Sequence, residues 1–143
     1  QGYIQEVFGD DVQAFWDECK DLAEANEMDS NLAYMFKMME HAHGRIVLTR
    51  KTLRDYGAKV KLFPGVEEWF ERIREFGKKQ GVIVEHYIIS SGLKEMIEGT
   101  AIAKEFEKIY ASSFLFDDKE VPIWPAQATQ TKHNFYSELK RVF

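Results

Sequence analysis

Apolar residues recur at helical intervals through the first third of the chain. Over residues 11–25 they fall at Val12, Phe15, Trp16, Cys19, Leu22 and Ala23, one face of a single helix. Asp10 or Asp11 supplies its N-cap. Asp29 and Ser30 start a second helix, with Leu32, Met35, Phe36 and Met39 on its buried side and Gly44 at its end. A third helix is predicted from about Thr49 through Leu53 to Tyr56, with Gly57 as its stop. Positions 1–61 therefore read as an all-helical unit.

The pattern changes after Leu62. Pro64 and Gly65 mark a break. Val66, Trp69, Phe70, Ile73 and Phe76 then form the cleanest amphipathic helix of the chain, and Gly77 and Gly81 bracket its end. Residues 82–89 are a nearly continuous β-prone run, the pattern of a parallel strand covered on both faces. The run stops at Ser90-Ser91-Gly92, and a short helix starts over 93–98. A second strand is predicted over Lys108–Phe116, a polar turn over 117–120, and a third extended stretch over 121–128. Pro122 and Pro125 restrict that stretch to an edge or an irregular path. Thr129 or Thr131 caps a final helix containing Phe135, Tyr136, Leu139 and Val142. Helix, buried strand, turn and helix is the rhythm of an α/β domain, here over 62–143.

Composition narrows the function classes. A chain of 143 residues, 45% hydrophobic and 30% charged, has the make-up of one folded domain rather than a disordered segment. The formal net charge of −5 argues against a nucleic-acid binder, which needs a basic face. No apolar run approaches the roughly 18 residues needed to span a bilayer, and no signal-peptide pattern opens the chain. Cys19 is the only cysteine, which fits a reducing compartment and a cytoplasmic protein. It lies on an apolar helix face, where a buried structural thiol is expected. The chain opens at Gln1 and stops inside a predicted helix at Phe143, so it is expected to be an interior piece of a longer protein.

Among residues able to carry chemistry, Ser90, Ser91 and Gly92 stand out. A parallel strand delivers Ser90 to its carboxyl end, where open α/β sheets place their ligands. Gly92 allows close backbone approach, and the first turn of the next helix supplies N–H donors for an anion. A small polar turn with no further role remains open. Lys132 sits in the first turn of the final helix, a position unfavourable against the helix dipole unless the ammonium faces an anion; a solvated surface lysine is the alternative. His133 is placed to line a pocket mouth. His86, inside the strand run, is expected to be a hydrogen-bonded core or supporting histidine. His41 and His43, two residues apart, do not align on one helix face, so no metal site is expected there. Asp117 and Asp118 read as turn residues. Met28, Met35, Met38 and Met39 read as core, with a flexible substrate-facing lining as the minority alternative.

The segment Leu62-Phe63-Pro64-Gly65-Val66 with its helix, followed by Tyr87-Ile88-Ile89-Ser90-Ser91-Gly92-Leu93, resembles the haloacid dehalogenase superfamily. A Pro-Gly-Val entry to a helix and a hydrophobic strand ending in Ser or Thr form that family's second motif. Met96-Ile97-Glu98-Gly99-Thr100 and Ile109-Tyr110-Ala111-Ser112-Ser113-Phe114 look like the same hydrolases. Thr131-Lys132 resembles the third motif, with Lys140 as an alternative for its lysine. The opening Gln1-Gly2-Tyr3-Ile4-Gln5 looks like the loop after the first motif. The resemblance covers essentially the whole chain and rests on the order and spacing of short motifs.

The resemblance implies a partial Rossmann-like core of parallel strands over 62–143, with an inserted helical cap over 1–61. It implies a phosphatase that attacks a small phosphorylated metabolite with an aspartate, passes through an aspartyl-phosphate, and uses Mg2+ held by carboxylates of the first and fourth motifs. Ser90, with Ser91 and Gly92, would bind a phosphoryl oxygen and Lys132 would offset its charge. No Asp-x-Asp-x-Thr occurs in these residues, so the nucleophile and main metal ligands are expected outside this chain, and the 143 residues alone are expected to be inactive. The resemblance also implies a central strand beside the 82–89 run. Its absence would leave an open edge for a second copy or a complementary fragment. A non-catalytic interaction module on the same framework, or phosphotransfer or dehalogenation chemistry, remains the alternative.

Overall fold

The computed structural model describes residues 3–5, 9, 11–44 and 47–127. Three helices come first: α1 (Val12–Ala25), α2 (Ser30–Ala42) and α3 (Arg50–Ala58). Next come α4 (Val66–Lys79), β1 (Tyr87–Leu93), the short α5 (Lys94–Gly99), a 3-10 turn (Ala103–Glu105), β2 (Lys108–Phe116) and β3 (Pro122–Gln127). The chain is thus a mixed α/β protein, with one small three-stranded sheet among the described residues.

Local chemistry explains most of the boundaries. The Asp29 carboxylate accepts the backbone N–H groups of Asn31 at 2.8 Å and Leu32 at 3.2 Å, satisfying two donors at the start of α2. Thr49 and Thr52 close a reciprocal capping box at the start of α3. Helix α4 carries Glu67 and Glu68 in its first turn and Lys78 and Lys79 in its last, both favourable to its dipole. Asp117 forms the expected turn: its Oδ1 accepts the N–H groups of Lys119 and Val121, each at 2.9 Å.

Strand order is β1-β2-β3. β1 and β2 run parallel, joined through α5, and β2 and β3 run antiparallel. The sheet is therefore mixed: β1 and β2 are the parallel strands expected of the core, and the edge stretch with its two prolines runs antiparallel to them. The two prolines of β3 lie on its edge strand, as their missing donors require. One buried cluster draws on both sides of position 61. Phe15 and Cys19 of α1, Met35 and Met38 of α2 and Leu53 of α3 share it with Leu93 of β1 and Phe114 of β2.

Two sequence expectations need correction. Residues 82–86 are outside the ladder, and the strand runs from Tyr87 through Ser90 to Leu93. Val82–Val84 have the composition of a strand, but pairing needs a neighbour, and β2 begins opposite Tyr87. Nor is the run covered on both faces: Ile83 is 92% exposed and Tyr87 is exposed. Gly57 does not stop α3. It lies inside the helix, buried where α5 crosses, and an added Cβ would overlap the backbone carbonyl of Met96. Gly99 answers it from α5, where a Cβ would overlap the carbonyl of Arg54. The two glycines let the helix backbones touch. Among the described residues no helix is long and apolar enough to cross a membrane.

Candidate functional site

The Ser90-Ser91-Gly92 segment does not follow β1 as a turn; it is a bulge within it. The register passes from Ser90 opposite Ala111 directly to Leu93 opposite Ser112, leaving Ser91 and Gly92 without ladder partners. Two hydrogen bonds hold the bulge. The Gly92 N–H donates to Ser90 Oγ at 3.0 Å, and the Tyr34 hydroxyl of α2 donates to the Ser91 carbonyl at 2.9 Å. Ser90 Oγ accepts from its own chain, which leaves its proton to donate to another group. α5 follows at once, but at six residues it is too short to count as an anion site of its own.

Ser91, Gly92 and Leu93 form one wall of a cavity of about 700 Å³. α1 and α2 roof it with Trp16, Cys19, Ala23, Tyr34 and Met38, and Met96 of α5 adds to the wall. The lining is mainly apolar. Cys19 is buried, and desolvation pushes its thiol up to about 11, so it stays protonated and acts as an apolar wall. Burial likewise raises the Tyr34 hydroxyl to about 12, which keeps it a donor to Ser91. Of the methionines read from sequence as core, Met35 is fully buried in the central cluster, whereas Met38 both belongs to that cluster and faces the cavity.

Behind the bulge lies a group the sequence gave no sign of. Glu95 is 2% exposed, and its Oε2 has no hydrogen-bond partner among the described residues. Desolvation holds its carboxyl above the usual carboxylate range, opposed by its own backbone N–H and the Arg50 charge. An acidic residue at the start of a helix ordinarily faces water, so only the three-dimensional neighbourhood reveals it.

The remaining candidates separate. Lys132, Lys140, Thr129, Thr131 and His133 lie outside the described residues. His86 is buried as expected, but neither ring nitrogen has a hydrogen-bond partner among the described residues; the ring instead packs between Trp69 and Phe70 at centroid distances of 5.3 and 5.0 Å. His41 Nε2 lies 2.8 Å from the Glu18 carboxylate, and His43 is exposed at the end of α2. No group of three or more His, Cys, Asp or Glu side chains that would hold a metal ion occurs among the described residues.

No protein-family profile matches the chain. No solved structure matches it. The chain is 29% identical over 129 residues to an uncharacterized protein of Borreliella burgdorferi, a match covering 80% of this chain and 45% of that protein. The chain thus spans less than half the length of the curated relative it matches.

Proposed function

We propose that the chain is an interior part of a haloacid-dehalogenase-like phosphohydrolase that acts on a small phosphorylated metabolite. Residues 1–61 serve as a helical cap and 62–143 as part of the α/β core. The observation that carries this reading is the bulge at the carboxyl end of a parallel strand, opening on a cavity roofed by helices. Ser90 donates its hydroxyl proton to a phosphoryl oxygen, and the backbone of Ser91 and Gly92 shapes the seat around it. Lys132 brings the compensating positive charge. The cap helices exclude water from the seat.

The resemblance also implies Mg2+. The described residues offer no carboxylate or imidazole cluster that fits one, so the roles derived for this chain are confined to phosphoryl binding. The nucleophile and the metal ligands belong to the remainder of the longer protein. That remainder, or a second copy of the chain, covers the free edge of β1.

The test uses the full-length protein, with phosphate release measured over a panel of small phosphomonoesters, with Mg2+ and with chelator. Ser90→Ala is expected to lower kcat/KM by roughly 10- to 100-fold, the worth of one hydrogen bond to a charged group. Lys132→Ala is expected to cost more than Lys140→Ala. Absence of Mg2+-dependent release from every ester, or a Ser90→Ala enzyme as fast as wild type, would overturn the reading and leave an interaction module.

A further inference from the structure

The cavity has a chemical character that the phosphate seat does not explain. Its lining includes Ser30, Asn31, Ser91 and Gly92, yet it is mainly apolar, with Trp16, Cys19, Ala23, Tyr34, Met38 and Met96 among its walls. The rings of Trp16 and Tyr34 meet at 6.2 Å and 59°, forming one aromatic corner. Met38 and Met96 bring flexible, polarisable thioethers that adapt to an apolar shape. Charge is confined to Lys20 and Glu24, which lie 3.8 Å apart and are mostly exposed, so they offset one another in solvent. A sugar or a polycarboxylate would lay its polar groups against a mainly apolar lining here. Tyr3 also lines the cavity, its ring packed edge-on against Tyr56 at 4.8 Å.

We infer that the cavity takes the organic part of the ligand, an aromatic or similarly bulky apolar group. The substrate class is then an aryl or bulky apolar phosphomonoester, its apolar body under α1 and α2 and its phosphoryl end at Ser91 and Gly92, beside Ser90, which does not itself line the cavity. This rests on the phosphohydrolase reading for the phosphoryl end alone; the apolar site stands on the cavity itself.

Two measurements on the full-length protein separate the two ideas. The first is calorimetric binding of 2-naphthol, which carries no phosphate. The second is turnover of 2-naphthyl phosphate against glycerol 3-phosphate. 2-Naphthol is expected to bind, and Ala23→Phe, which fills the cavity, is expected to weaken binding by about tenfold or more. Trp16→Ala, at a partly exposed position, is expected to weaken it as well and covers the case in which the filled variant does not fold. The naphthyl ester is expected to exceed the glycerol ester in kcat/KM by about tenfold or more. Binding of 2-naphthol that both variants weaken, with no ester hydrolysed, upholds the apolar site and removes the phosphohydrolase. Hydrolysis of both esters at similar rates, with no naphthol binding, removes the apolar site and keeps the phosphohydrolase. Naphthol binding that neither variant alters overturns the assignment to this cavity.

Discussion

At Glu95 a side chain that sequence places at the water-facing start of a helix is almost wholly removed from solvent, with one oxygen unpaired among the described residues. Because burial raises its carboxyl pKa, the folded chain holds that proton more tightly than the unfolded chain does. The stabilising contribution of the protonated form is complete below the unfolded carboxylate's titration. It is lost as pH rises through the raised folded value. Glu95→Gln keeps the shape and removes the charge. It is expected to raise stability at neutral pH by about 1 kcal/mol and to give no gain below about pH 4. Urea unfolding at the two pH values checks this, and an equal gain at both would show that charge is not the cause. Nothing in the order of residues announced Glu95, since Tyr34, whose hydroxyl it perturbs, lies far away along the chain. Ser90 was legible because its chemistry is carried by its own neighbours, a strand before and a glycine after. Even so, the hydrogen bond that fixes the bulge comes from Tyr34, which pattern alone left as an unassigned aromatic.

At the scale of elements, caps were legible and crossings were not. Asp29 and Thr49 announce α2 and α3 because an N-cap is a contact between residues two or three apart. Asp29→Ala is accordingly expected to cost about 1 kcal/mol in thermal or urea unfolding. Gly57 was misread as a stop for the opposite reason: it is glycine on account of Met96, on another helix. Gly57→Ala and Gly99→Ala each drive a methyl into a backbone carbonyl that no rotamer change relieves. Each is expected to cost about 3 kcal/mol or more, although alanine is the better helix former. Unfolding midpoints at or above wild type would mean that α3 and α5 do not cross at these two residues. The β-prone run before Tyr87 shows the same limit, because a strand needs a partner and composition records only the willingness to pair.

For the whole molecule, the sheet leaves one question of coverage. β1 pairs with β2 on one side, and among the described residues no strand lies on its other edge. On α4, the apolar stripe that reads as the cleanest amphipathic face buries only Phe70 fully, while Trp69 is 48% and Phe76 60% exposed. An open parallel edge recruits another strand or aggregates, and a stripe of exposed aromatics adds a second sticky surface. The 143-residue chain alone is therefore expected to self-associate in light scattering and to release no phosphate. Ile83→Lys, just before β1, and Phe76→Lys, on the exposed stripe, are expected to shift it toward monomer without lowering its unfolding midpoint, since both side chains are already solvent-exposed. Adding the rest of the longer protein as a separate polypeptide is expected to displace self-association and form a one-to-one complex. A wild-type chain that stays monomeric at every concentration tested, and that ignores the added polypeptide, would show that the bare edge and the exposed stripe are finished surface, and would remove the need for any further strand beside β1.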